Sequence, residues 1–156
     1  MRAFAALGVV AFLGGCSSPP LPGYLWSITV TGAQDLCNNP PVDYAGEKNF
    51  EYRIEFSGSS VTLSIEADAF ATGAISGCDI AYDSVVWGEA HDGYDLKWQL
   101  HGEATFRQGG DSCNLDPGVD WTGTETFTIV SSDDAAVATG CTYTLDNSGI
   151  YEGPSQ

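Results

Sequence analysis

From Tyr24 onward the chain keeps returning to one pattern, an apolar side chain at every second position. Tyr24, Trp26, Ile28 and Val30 alternate with Leu25, Ser27, Thr29 and Thr31, and Phe50, Tyr52, Ile54 and Phe56 alternate with Glu51, Arg53 and Glu55. Val61, Leu63 and Ile65 repeat it. So do Leu96, Trp98 and Leu100, running on through Ala104 and Phe106, then Phe127 and Ile129 between threonines, and finally Cys141, Tyr143 and Leu145. Successive strand side chains point to opposite faces, so this period gives each strand one dry face and one wet face. That is the signature of antiparallel sheet. No segment carries a persuasive helical period, and the chain is expected to be all-β.

Turn-forming residues divide the pattern into about eight strands: 24–31, 50–57, 60–66, 69–76, 79–91, 94–107, 122–130 and 139–146. Ser57-Gly58-Ser59 joins two of them, Asp92-Gly93 reads as a type I′ hairpin, and Ser131 to Ala135 is a polar turn. The two long irregular pieces are Gly32 to Asn49 and Gln108 to Asp120. The expected architecture is an antiparallel meander closing into a small barrel, with a two-sheet sandwich as the alternative. Val85-Val86-Trp87 suggests a bulge that flips the register and turns Trp87 toward the core rather than onto an exposed face.

The first residues are of another kind. Met1-Arg2 is followed by an apolar run from Ala3 to Leu13, too short to span a bilayer, and then by Gly14, Gly15 and Cys16. Leu13-Gly14-Gly15-Cys16 resembles the lipobox of bacterial lipoproteins. The resemblance covers the first 16 residues and implies removal of residues 1–15 by signal peptidase II, with lipid on Cys16. A second acyl chain on the new amine would make the anchoring stable. Ser17 follows the cysteine where the family's inner-membrane retention signal has Asp, which favours the outer membrane. Residues 16–23, with Pro19, Pro20 and Pro22, form a stiff tether, and residues 24–156 fit a single domain.

Lipid on Cys16 leaves Cys37, Cys78, Cys113 and Cys141, an even set in an exported chain and thus two expected disulfides. None is spaced from another as in a zinc knuckle. Following the meander up and down puts Cys37 and Cys141 at one end of the sheet and Cys78 and Cys113 at the other. Of three connectivities this favours 37–141 and 78–113, since a bridge needs alpha carbons within about 7 Å.

The net charge is −16 with only five Lys and Arg, and loss of Arg2 would make it one unit more negative. Such a surface disfavours nucleic acid and anionic headgroups. His91 and His101 are read as exposed strand residues more readily than as metal ligands or bases. Asp111, Asn114, Asp116 and Asp120 form a weak calcium candidate that lacks EF-hand spacing. Asp133-Asp134 and the pair Glu66 and Asp68 are weaker still. No cofactor is implied, and Gly-x-Ser-x-Gly and His-Glu-x-x-His are absent, so an enzyme is not expected.

The favoured reading is a membrane-anchored, non-catalytic binding or interaction module of the cell envelope. The alternative is a carrier. An eight-stranded meander is similar in architecture to the lipocalins, which would imply a barrel around one small apolar ligand. Tyr24-Leu25-Trp26 stands where that family carries Gly-x-Trp, so lipocalin function does not transfer. A cavity of a few hundred cubic ångströms lined by Trp26, Tyr52, Phe56 and Trp98 would favour the carrier. A filled core would favour interaction through the outer surface.

Overall fold

The computed structural model describes residues 23–35, 49–91, 94–106, 119–133 and 138–154. Among them lie nine strands and no helix: β1 (Tyr24–Asp35), β2 (Asn49–Ser57), β3 (Ser60–Ile65), β4 (Asp68–Ser76), β5 (Asp79–Ser84), β6 (Trp87–His91), β7 (Tyr94–Phe106), β8 (Trp121–Ser132) and β9 (Thr142–Pro154). All pairings are antiparallel. β1 to β5 pair in succession, β7 pairs with β5, β8 with β7, and β9 returns to β1. Eight strands thus close into a barrel, and β6 continues the line of β5 along β7. The sandwich alternative is set aside by this closure.

The turns explain the register. Ser57 stands opposite Ser60 with Gly58 at φ 61° between them, the left-handed first position of a type II′ hairpin. His91 stands opposite Tyr94, which leaves two residues for the next turn; Asp92 and Gly93 themselves lie outside the described residues. Between β5 and β6 the pairing with β7 slips by one residue at Val85-Val86. Asp83 faces His101, but Trp87 faces Trp98. The side-chain parity therefore flips, as expected of a bulge. Val85 and Val86 become 73% and 49% exposed while Trp87 turns to the core side, half-buried. The Ser84 hydroxyl accepts the Leu100 backbone N–H at 2.9 Å and so satisfies a donor at the break in the ladder.

The apolar face of every strand turns inward. Glu51, Glu55, Asp83, Lys97, Gln99 and Glu103 stand exposed outside. This is the reverse of a membrane-spanning barrel, whose apolar band faces lipid. One end of the interior, where β1 and β8 start and β2, β7 and β9 finish, is packed with rings. Trp26 lies 6.4 Å from Phe56, 5.8 Å from Phe106 and 5.4 Å from Tyr151, and its indole N–H donates to the Val119 carbonyl at 3.0 Å. Trp121 is fully buried beside them.

The expected strand 79–91 is split into β5 and β6, and two other strands differ from expectation by more than two residues. β1 extends to Asp35, and the last strand runs over 142–154 rather than 139–146. Its inward positions after Leu145 are Asn147, Gly149 and Tyr151, and a buried amide and a glycine break the apolar alternation that marks the other strands. Gly149 is inward because the Trp121 ring occupies the space its side chain would take.

Gly102 plays the same part under Tyr82, whose ring lies where a Cβ would be built. Gly102→Ala should therefore push Tyr82 from its site and cost about 1–3 kcal/mol, as overpacking of a tight core does. Urea unfolding checks this, with a lower midpoint at unchanged slope as the expected result.

Candidate functional site

The opposite end of the barrel, where the β3–β4 turn and the β6–β7 turn lie, is only partly filled. A partly open cup of about 400 Å³ sits there. Phe50, Ile65, Phe70, Trp87, Phe127 and Leu145 form its walls, and Tyr52, Leu100 and Glu125 its floor. Part of the lining follows the alternation: Phe50 and Tyr52 are successive inward positions of β2, and Glu125 and Phe127 of β8. Trp87 instead enters through the Val85-Val86 bulge, and Phe70 stands at a register shift between β3 and β4. Rings brace one another around the rim. Phe127 stacks on Tyr143 at 4.5 Å and 4° and meets Trp87 edge-on at 6.2 Å, while Phe70 lies 5.0 Å from Tyr52. Beside the cup Val30, Leu96, Trp98, Ile129, Tyr143 and Leu145 make a second packed cluster.

At the floor one acid is wholly buried. Glu125 is 0% exposed. The Tyr52 hydroxyl donates to its Oε1 at 2.9 Å and also approaches Oε2 at 3.2 Å. The Tyr82 hydroxyl donates to Oε1 at 2.9 Å, and Asn147 Nδ2 to Oε2 at 2.8 Å. Burial lifts the Glu125 carboxyl above its ordinary value of 4.5, against the opposing pull of the hydrogen bonds from Tyr82, Tyr52 and Asn147. Burial, reinforced by the neighbouring Glu125 charge, holds both tyrosines well above 10.0. They therefore stay protonated and serve as donors. Among the described residues no ion pair reaches Glu125, so its charge is met by neutral donors alone. A buried acid of this kind beside a cavity is a binding-site candidate on physical grounds.

The residues singled out in the sequence fall elsewhere. Of the four aromatics expected around a cavity, Tyr52 lines it. Trp26 and Phe56 plug the far end and Trp98 belongs to the neighbouring cluster, because alternation reveals which way a ring points but not how deep it sits. His101 is exposed on the outer wall, with Nδ1 2.8 Å from Asp83 Oδ1 and Nε2 3.7 Å from Glu103. These contacts, chiefly the hydrogen bond to Asp83, raise its pKa above 6.5. His91 lies in β6, and its side chain is outside the described residues. Asp120 accepts the Tyr151 backbone N–H at 3.3 Å and braces the end of β9, whereas Asp111, Asn114 and Asp116 lie outside the described residues. Asp133 accepts the Asp95 N–H at 2.6 Å, a turn contact. Glu66 and Asp68 flank the β3–β4 turn, both exposed. Among the described residues no group of three or more His, Cys, Asp and Glu is placed to hold a metal.

Cys16, Cys37 and Cys113 also lie outside the described residues, so neither expected disulfide is seen as a pair. Cys78 sits in the β4–β5 turn at the plugged end, its carbonyl accepting the Phe106 N–H at 2.9 Å. Cys141 sits just before β9 at the cup end.

Glu125, Tyr82 and Asn147 are the site residues that the sequence reading missed. The signal was present in the parity of β8: Trp121, Gly123, Glu125, Phe127 and Ile129 are every second residue, so Glu125 belongs to the inward set. No protein-family model matches the chain, nor does any curated protein or solved structure. Among the described residues no helix is long and apolar enough to cross a membrane.

A carboxyl with a folded pKa above its unfolded one binds its proton more tightly when folded. Its contribution is complete below the unfolded value and is lost as the pH rises through the folded one. Wild type should therefore lose stability relative to Glu125→Gln as the pH climbs from about 4.5. Parallel curves of unfolding free energy against pH for the two proteins would show that Glu125 is not the titrating group.

Proposed function

We propose that this chain is a lipoprotein held on the cell envelope by lipid on Cys16, and that its barrel is a non-catalytic carrier that takes a small ligand into the cup above Glu125. The observation that carries the proposal is the asymmetry of the interior. One end is plugged by Trp26, Phe56, Phe106 and Trp121, while the other keeps about 400 Å³ lined by rings with a polar floor. An eight-stranded barrel is just wide enough to be filled by side chains or to hold one small ligand. A module working only through its outer wall would gain stability from a filled interior. The cup favours the carrier.

The anchor rests on the lipobox resemblance at Leu13 to Cys16, and Ser17 after the cysteine favours the outer membrane. An outer wall of polar and acidic residues suits a domain held in water beside the bilayer. The two disulfides, 37–141 and 78–113, belong to the same proposal. For the first, Asp35 stands opposite Tyr143, and counting two residues outward on each chain arrives at Cys37 and Cys141. For the second, Cys78 lies beside Phe106, from which the chain leads on to Cys113. Both bridges would tie the ends of the barrel.

Native mass spectrometry of the protein purified from its own host tests both halves. The expected spectrum shows a protein lacking residues 1–15, carrying lipid, with a small molecule that leaves on unfolding. Cys16→Ser should lose the lipid and keep the small molecule. Lipid retained on Cys16→Ser would defeat the anchor, and a wild-type protein free of any small molecule would defeat the carrier.

A further inference from the structure

We propose that the cup is selective for a small organic cation, with a protonated amine against Glu125 and its ring or hydrocarbon among Phe50, Phe70, Trp87 and Phe127. This rests on the cup being a ligand site and names the class of ligand.

The hydrogen-bond inventory of the floor carries the argument. Each phenol has one hydrogen, and those of Tyr52 and Tyr82 are both directed at Glu125. An ionised carboxylate only accepts. The floor therefore has acceptor positions to offer, the remaining one on Glu125 Oε2 and those of the phenol oxygens, and no spare phenolic donor. None of the described lining residues is basic. A fatty acid or a phosphate would find no charged partner and would lie against a second negative group. An amine can donate to the one carboxylate position left on Glu125 Oε2 and to a phenol oxygen, and it brings the positive charge that the floor lacks.

The buried acid is otherwise hard to account for. A charge removed from water is costly unless it is paired, and Glu125 has three neutral hydrogen-bond donors but no cation among the described residues. A hydrocarbon side chain at 125 would fill the floor at lower cost. A cation arriving from the cup supplies the missing charge, and it favours the ionised carboxylate that burial disfavours.

The walls agree with the floor. The faces of aromatic rings attract cations, by about 0.5–1 kcal/mol when exposed and about 2 when desolvated. Four of the walls are Phe or Trp. The cup has room for about a dozen water-sized volumes of about 30 Å³ each, which suits an arylalkylamine rather than a long-chain lipid. The net charge of −16 draws cations toward the surface and repels anions.

Three probes of similar size separate the possibilities: 2-phenylethylamine, 2-phenylethanol and 3-phenylpropionate, titrated calorimetrically near neutral pH into the mature protein, purified from its own host and freed of its own ligand. The amine should bind about tenfold or more tighter than the alcohol, and the acid should bind most weakly. Glu125→Gln should bring the amine down to about the level of the alcohol. An alcohol that binds with an amine no tighter, or an acid that matches the amine, would overturn the cation assignment while the carrier stands. The comparison among probes is made on wild type, so a poorly folded variant cannot mask that result. Binding by none of the three would overturn both.

Discussion

Four strands of the barrel meet on one carboxylate. Glu125 projects from β8, and the groups that hold it come from β2, β5 and β9. Tyr52 reaches it across the barrel interior, Tyr82 from the strand beside β7, and Asn147 from the adjoining strand. Each contact spans chain separations of 22 to 73 residues, so the network exists only when the barrel is closed. Its members depend on one another. Removing the acid leaves three buried donors, each costing about 1–3 kcal/mol if unpaired, whereas removing one phenol leaves the acid with fewer donors for the same burial. Gly102 belongs to the arrangement, since the absence of its side chain is what admits the Tyr82 ring. A small residue on β7 thus sets the position of an acid on β8.

The carboxylate layer also divides the barrel in two. Below it, inward rings from five strands pack against one another and Val119 closes the bottom through the Trp26 indole. Above it, Phe127 of the cup and Trp98 of the neighbouring cluster both pack on Tyr143. The Val85-Val86 bulge contributes here. By shifting parity it turns Trp87 to the core side, where the uninterrupted alternation of β5 would have placed a valine. One inserted residue supplies a wall of the cup.

Much of this was legible because burial and chain direction share a period of two. The strands, their order and the closing pair followed from residues such as Trp26, Tyr52 and Leu100 that sit dry between polar neighbours. The bulge was legible from three consecutive apolar residues where two-residue alternation allows none. The carboxylate was not. A search for buried positions by hydrophobicity passes over Glu125, Asn147 and Gly149, because an inward polar group or glycine interrupts the signal that marks the inward face. Depth along the barrel was hidden for a different reason. Trp26 and Tyr52 look alike in the pattern, yet Trp26 lies in the plug and Tyr52 under the cup, and only the stagger between strands distinguishes them.

Those interruptions of the pattern gather around the cup. A barrel selected for stability alone would carry an aliphatic residue at 125, with apolar partners in place of Tyr52 and Asn147, and would fill its open end. Replacement of buried charge by well-packed hydrocarbon is often neutral or stabilising. This chain instead keeps a desolvated acid in place with three donors and leaves space beside it, while aromatic rings pack the opposite end. On the carrier proposal, the cup end keeps a polar group whose protonation, orientation and access would bear on a ligand. The exterior acts at longer range. Its acidic surface sets which ions gather near the protein, but a surface field does not distinguish one cation from another. On the cation proposal, discrimination would come from the floor, where Tyr52, Tyr82 and Asn147 hold the carboxylate, and from the rings around the cup. The same inward parity that makes the core thus makes the site, with one acid where the core would take a hydrocarbon.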